Sequence, residues 1–150
     1  MRVIGWLEVN MIDFRKMRKL INRLPMARFR VDQAKSRATR VTPVLTGMPR
    51  GSGGSSQTEE GAILIMIASE KYESMKAELK EMQDTLSPII EGIEDPLQKN
   101  VLRMRYMECR SVREIAYLLN YSEPHIFRIL RWIERKIEEN EKNDSYDSSF

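Results

Sequence analysis

Apolar residues recur along most of this chain at alternating steps of three and four, the signature of amphipathic helices packed along a seam. Ile4, Leu7, Met11 and Phe14 open the pattern, and Met17, Leu20, Leu24, Ala27, Val31, Ala34, Ala38 and Val41 continue it after a slip in phase. Pro25 lies inside this run and predicts a kink or break near Arg23–Pro25, because proline removes a helical hydrogen bond and clashes with the preceding turn. A second seam runs without a miss through Ile65, Ala68, Tyr72, Met75, Leu79, Met82, Leu86, Ile89 and Ile93, and predicts a helix from about Glu59 with a kink near Pro88. Between the two seams the stretch 42–58 is rich in glycine and proline and predicts a connecting loop. Two long helices of similar reach, roughly 55 Å each, joined by a loop, predict an antiparallel helical hairpin over residues 1–95.

Asp95-Pro96 is a helix start, the acid capping and the proline occupying the first turn. Val101, Leu102, Arg105, Tyr106 and Met107 then mark a short amphipathic helix. Ser111 with Glu114 forms a capping box, followed by the apolar face Ile115, Ala116, Leu118 and Leu119. Asn120 stands where this helix must end in a left-handed residue. Ser122 starts another helix, over 122–138, whose buried face is Ile126, Ile129, Leu130 and Ile133. Two short helices about a tight turn, with the small Ala116 at their close approach, predict a helix-turn-helix within a three-helix domain at 96–139. A plain structural helical hairpin is the rival reading. The tail 140–150 is polar and aperiodic and reads as disordered. The expected fold is all-α.

Charge sharpens the hairpin and tempers the DNA reading. Residues 1–50 hold 12 Lys/Arg against 3 Asp/Glu, residues 51–95 hold 3 against 10, and residues 96–150 hold 10 against 9. The basic and acidic segments are expected to pair with each other. The nearly balanced C-terminal part predicts only modest non-specific attraction to DNA. No apolar run is long enough to span a bilayer, and the N-terminus lacks the apolar core of a signal peptide. With one cysteine, Cys109, and one histidine, His125, neither a disulfide framework nor a usual zinc site is expected, and a reducing cytoplasm fits.

No catalytic constellation is legible: neither Gly-x-Ser-x-Gly nor His-Glu-x-x-His occurs. We therefore expect no enzyme, no metal and no cofactor. The candidate site is a double-stranded DNA interface formed by Arg113, Ser122, Glu123, Pro124, His125, Phe127, Arg128, Arg131 and Arg135. Arg128 and Arg131 can donate paired hydrogen bonds to guanine or clamp phosphate, and Arg113 and Arg135 are placed for phosphate. Phe127 reads equally as a thymine-methyl or sugar contact and as a cap on the small core against Tyr106 or Tyr121.

Two blocks, VTPVLTGMPRGSGG and VLRMRYMECRSVREIAYLLNYSEPHIFRI, resemble small phage and prophage late-transcription regulators of the RinA and ArpU type. The C-terminal part of these proteins is similar to the DNA-binding region 4 of sigma-70-type factors. The resemblance covers about residues 6–135. It implies regulation of late promoters in the cytoplasm of a bacterial host, with contact to the host RNA polymerase. Glu123-Pro124 departs from the basic or polar residues common there, which bears on base preference. A homodimer through the long helices is a further expectation. The alternative reading is a small-terminase-like DNA-packaging protein, which also joins a helix-turn-helix to oligomerising helices. A structural adaptor that binds only protein is the third.

Overall fold

The structure is a computed structural model that describes residues 11–40 and 54–147. It is helical throughout, with no strand among the described residues: α1 (Phe14–Thr39), α2 (Gly54–Glu91), α3 (Pro96–Leu102), a π-helical turn (Arg103–Met107), α4 (Val112–Leu119) and α5 (Glu123–Asp147). Long helices that fit a helical hairpin, followed by a small helical domain, match the expected architecture. The seam positions Ile4 and Leu7, Val41, and the loop up to Gly53 lie outside the described residues.

Several boundaries differ from the sequence reading, each for a physical reason. α1 starts at Phe14, because the Asp13 carboxylate accepts from Lys16 N at 2.9 Å and caps the helix. Met11 therefore lies before the helix and is exposed, while Ile12 is buried in its place. At 26 residues α1 spans about 39 Å, shorter than the 38 residues and about 57 Å of α2. Neither proline ends its helix: α1 runs through Pro25 and α2 through Pro88. Both prolines are exposed. The buried neighbours Ile21, Ala27, Leu86 and Ile90 hold the flanking turns, and such packing outweighs the loss of one hydrogen bond. α2 begins at Gly54, not near Glu59, so the connecting loop is shorter than 42–58. Once nucleated, a helix gains one bond per added residue, and Ser55–Gln57 does not oppose it.

The chain divides into two compact units, one formed by Met1–Lys19 with Leu79–Phe150 and the other by Leu20–Glu78. The Asp95-Pro96 junction lies inside the first unit.

The Leu20–Glu78 unit is the two-helix part. A methyl group at Gly61 would meet Ala38 Cβ at 3.8 Å, so the end of α1 lies beside the start of α2, as an antiparallel pair requires. Leu20, Ile21, Ala27 and Val31 are its buried residues on α1. Among the described residues, Arg23, Arg28, Arg30, Lys35 and Arg37 carry no ion pair.

In the other unit Ile12, Phe14 and Met17 join Leu86, Ile90, Val101, Leu102, Tyr106, Ile115, Ala116, Ile126, Leu130, Ile133 and Ile137 as buried residues. The small domain therefore does not close its core with three helices alone. Phe14 packs on the Tyr106 ring at 5.1 Å. The Tyr106 hydroxyl donates to a Glu134 carboxylate oxygen. Arg18 Nη1 donates to both, at 3.1 Å to Tyr106 Oη and 2.7 Å to Glu134 Oε2. Burial raises the Tyr106 phenol well above its ordinary range, and the adjacent Glu134 carboxylate adds to the shift. Burial opposes the Arg18 charge, yet its bonds to Tyr106 and Glu134 hold the guanidinium above its usual value.

The last helix also runs further than expected, through Asp147 into the stretch read as a disordered tail. Ile137 is buried, and the Glu141 carboxylate accepts from the free backbone N of Ile12 at 3.2 Å. Both give the extra turns something to hold. Burial raises the Glu141 carboxyl above its usual range, against the opposing hydrogen bond from Ile12.

Candidate nucleic-acid interface

The helix-turn-helix is built from local signals. Ser111 Oγ accepts from Glu114 N at 3.2 Å, and Glu114 Oε2 accepts from Ser111 N at 2.8 Å, completing the capping box. Those bonds, from the Ser111 backbone and then its hydroxyl, hold the Glu114 carboxyl below its usual range. A carboxyl depressed by folding stabilises the fold above its unfolded pKa, and that contribution is lost as the pH falls through the folded value. Ser111→Ala is therefore expected to lower stability near neutral pH and to flatten acid unfolding below about pH 4. Urea titrations of both proteins from pH 2 to 7 check this.

At the other end of α4, Asn120 has φ 57° and ψ 43°, the left-handed conformation its position demands. Tyr121 N donates to Ala116 O at 2.9 Å and Asn120 N to Tyr117 O at 3.3 Å, a Schellman closure. Ala116 is buried beneath this turn. Glycine accepts that conformation freely and asparagine nearly so, whereas most other side chains cost roughly 1–2 kcal/mol there. Asn120→Gly is expected to be neutral within about 0.5 kcal/mol, and Asn120→Val to lose about 1–2 kcal/mol, measured by denaturant unfolding.

α5 starts at Glu123, with Ser122 O accepting from His125 N and Ile126 N. Ile126, Leu130, Ile133 and Ile137, at steps of four and three, form its buried stripe. This orientation leaves the predicted residues on the outer side. Ser122, Glu123, Pro124, Phe127, Arg128, Arg131 and Arg135 are all exposed. Arg128, Arg131 and Arg135 recur at steps of three and four and so share one face. Arg128 Nε makes only a 3.4 Å bond to Pro124 O within the helix. None of these three arginines, nor the exposed Arg113 early in α4, is in an ion pair among the described residues. Glu123 sits in the first helical turn, where the helix dipole favours an acid.

His125 and Phe127 differ in their surroundings. His125 is half-buried and stacks on the Tyr121 ring at 4.9 Å, so it braces the turn. Phe127 is 49% exposed. Its two suggested core partners are engaged elsewhere, Tyr106 on Phe14 and Tyr121 on His125. Two surface aromatics went unread. Trp132 is half-exposed with Lys136 Nζ 4.9 Å over its ring, and Tyr117 projects from α4 at 86% exposure. The four-residue step from Trp132 to Lys136 was the available signal. The arrangement is a convex face of unpaired guanidinium groups interleaved with aromatic rings, chemistry suited to phosphate and base edges.

No group of three or more metal-ligating side chains occurs among the described residues, and no described helix is long and apolar enough to cross a membrane.

No curated protein and no solved structure matches the chain. A family model does match, over residues 49–138, a stretch that contains α2, α3, α4 and the exposed arginine face of α5. That is more than half of the chain, and the chain belongs to the family described as "Protein of unknown function (DUF1492)".

Proposed function

We propose that this protein is a sequence-specific, double-stranded DNA-binding regulator of transcription that lays α5 in the major groove. The observation that carries the reading is the unpaired arginine face of α5 at Arg128, Arg131 and Arg135. That face follows a turn closed by a left-handed Asn120. Recognition helices present base-reading residues from their first turns, which here are Glu123, Pro124, Phe127, Arg128 and Arg131. Arg113 and Arg135 contact phosphate. The resemblance to late-transcription regulators of the RinA and ArpU type supports a phage or prophage role in bacterial cytoplasm, acting with the host RNA polymerase.

The test is selection of bound duplexes from a randomised DNA library at about 0.15 M salt, with the full chain. Enrichment of one motif is expected. Recovery of unenriched sequence would sink the reading.

A further inference from the structure

Residues 20–40 of α1 hold six basic residues against one acid, Asp32. Five of the six are arginine, whose planar guanidinium meets phosphate oxygens with paired donors where lysine offers a point charge. Arg23, Arg30 and Arg37 recur at steps of seven and form one row along the helix, beside the seam of Leu20, Ala27 and Val31. The row is about 21 Å long. All three side chains are exposed, and none is in an ion pair among the described residues.

The register of the helix pair explains why α2 leaves the row uncompensated. Gly61 lies beside Ala38. In an antiparallel pair that sets Arg37, Arg30 and Arg23 level with Ala62, Ser69 and Lys76, none of them an acid. Glu73, close to that last level, is in an ion pair with Lys76 at 3.9 Å. By helical spacing Glu59, Glu70 and Glu73 fall on the side of α2 turned from the seam. Three like charges held in one row repel each other and give the fold nothing in return. A polyanion laid along the row relieves that repulsion.

We infer that Arg23, Arg30 and Arg37 form a second nucleic-acid contact, a non-specific grip on the phosphate backbone of double-stranded DNA. The choice of duplex rests on the DNA-binding reading above. Residues 96–150 hold 10 Lys/Arg against 9 Asp/Glu, so the base-reading part of the chain brings little general attraction of its own, and the α1 row supplies it. A duplex carries one charge per about 1.7 Å of axis, so a row of this length meets several phosphates whatever the sequence. Phosphate contacts position a protein without reading bases. The row therefore adds affinity and leaves the choice of motif to α5. An anionic bilayer is the poorer match. An interfacial helix sinks its apolar stripe into lipid, and here that stripe is buried at Leu20, Ala27 and Val31.

Fluorescence anisotropy of the full chain on a scrambled duplex, from about 50 to 300 mM salt, tests this. Arg23→Gln/Arg30→Gln/Arg37→Gln should lower the slope of log K against log salt by about 0.9 per cation, and weaken binding at low salt at least about tenfold. Helicity by circular dichroism and the enriched motif should stay as in the wild type. Arg23→Lys/Arg30→Lys/Arg37→Lys keeps the charge and should keep most of the slope. Arg28→Gln/Lys35→Gln removes two unpaired cations from the opposite flank of the same helix, and should cost less than half the slope lost in Arg23→Gln/Arg30→Gln. An unchanged slope in the triple glutamine variant, equal losses from the two flanks, or a loss as large in the lysine variant would each overturn the inference. So would a triple variant that keeps its DNA slope and loses binding to phosphatidylserine vesicles, which would assign the row to a membrane surface. A wild type that enriches no motif, with the slope still falling in the triple variant, would end the sequence-specific reading and leave the grip standing.

Discussion

Replacing both Arg128 and Arg131 with alanine is expected to abolish selective DNA binding while leaving the fold intact. Both side chains are exposed and contribute to no ion pair among the described residues, so thermal stability should stay within about 0.5 kcal/mol of wild type. If each guanidinium reads a guanine, each loss should cost about 1–3 kcal/mol against the preferred duplex and much less against scrambled DNA. If an arginine instead clamps phosphate, affinity falls for all duplexes alike, and the salt dependence of log K loses about one unit of slope. Fluorescence anisotropy with preferred and scrambled duplexes from 50 to 300 mM salt separates the two roles. Equal affinity of variant and wild type for the preferred duplex would end the base-reading assignment.

The second large effect belongs to Tyr106. Its ring is fully buried against Phe14, and its hydroxyl joins Arg18 and Glu134 in one network. Tyr106→Ala should lose about 3–5 kcal/mol, the usual cost of emptying an aromatic site in a core. Tyr106→Phe keeps the ring and removes the hydroxyl, leaving the half-buried Glu134 with Arg18 alone. We expect a loss of about 1–3 kcal/mol. The pH dependence gives a second signature. Folding raises the phenol above its ordinary value of 10.0. The stabilisation is then complete below pH 10 and is lost as the pH rises above it towards the folded value. Wild type and Tyr106→Phe should therefore converge in stability above pH 10 and differ most near neutrality, as measured by urea unfolding. A difference that widened at alkaline pH would contradict the network.

What could be read from the sequence follows the range of the interactions involved. Ser111 with Glu114, and the left-handed Asn120, are settled within four or five residues, so residue type and spacing alone point to them. The seam through Leu79 and Leu86 was equally legible, because burial repeats with the helical period. The break that Pro25 allowed does not occur, because the local rule counts one lost bond, whereas the helix is held by Ile21 and Ala27 on either side. The end of α5 was hidden for a related reason. Nothing in NEKNDSYD is periodic, but Glu141 meets the backbone of Ile12, 129 positions away. For the candidate site, exposure of Arg128, Arg131 and Arg135 could be deduced from the opposing isoleucine stripe. The bracing role of His125 depends on how the turn aims the Tyr121 ring, which spacing does not convey. Pairing of the basic and acidic segments was an inference from net charge, and net charge carries no geometry.

The bonds from Ile12 to Glu141 and from Arg18 to Glu134 also set an order of events during synthesis. Their partners are separated by 129 and 116 residues, so the first residues of α1 must wait for the end of α5 to leave the ribosome. α4 and the turn at Asn120 can form earlier from short-range bonds, but they have no finished core to rest on. The core beneath the arginine face is thus closed last, when residues 12–18 meet residues 134–141.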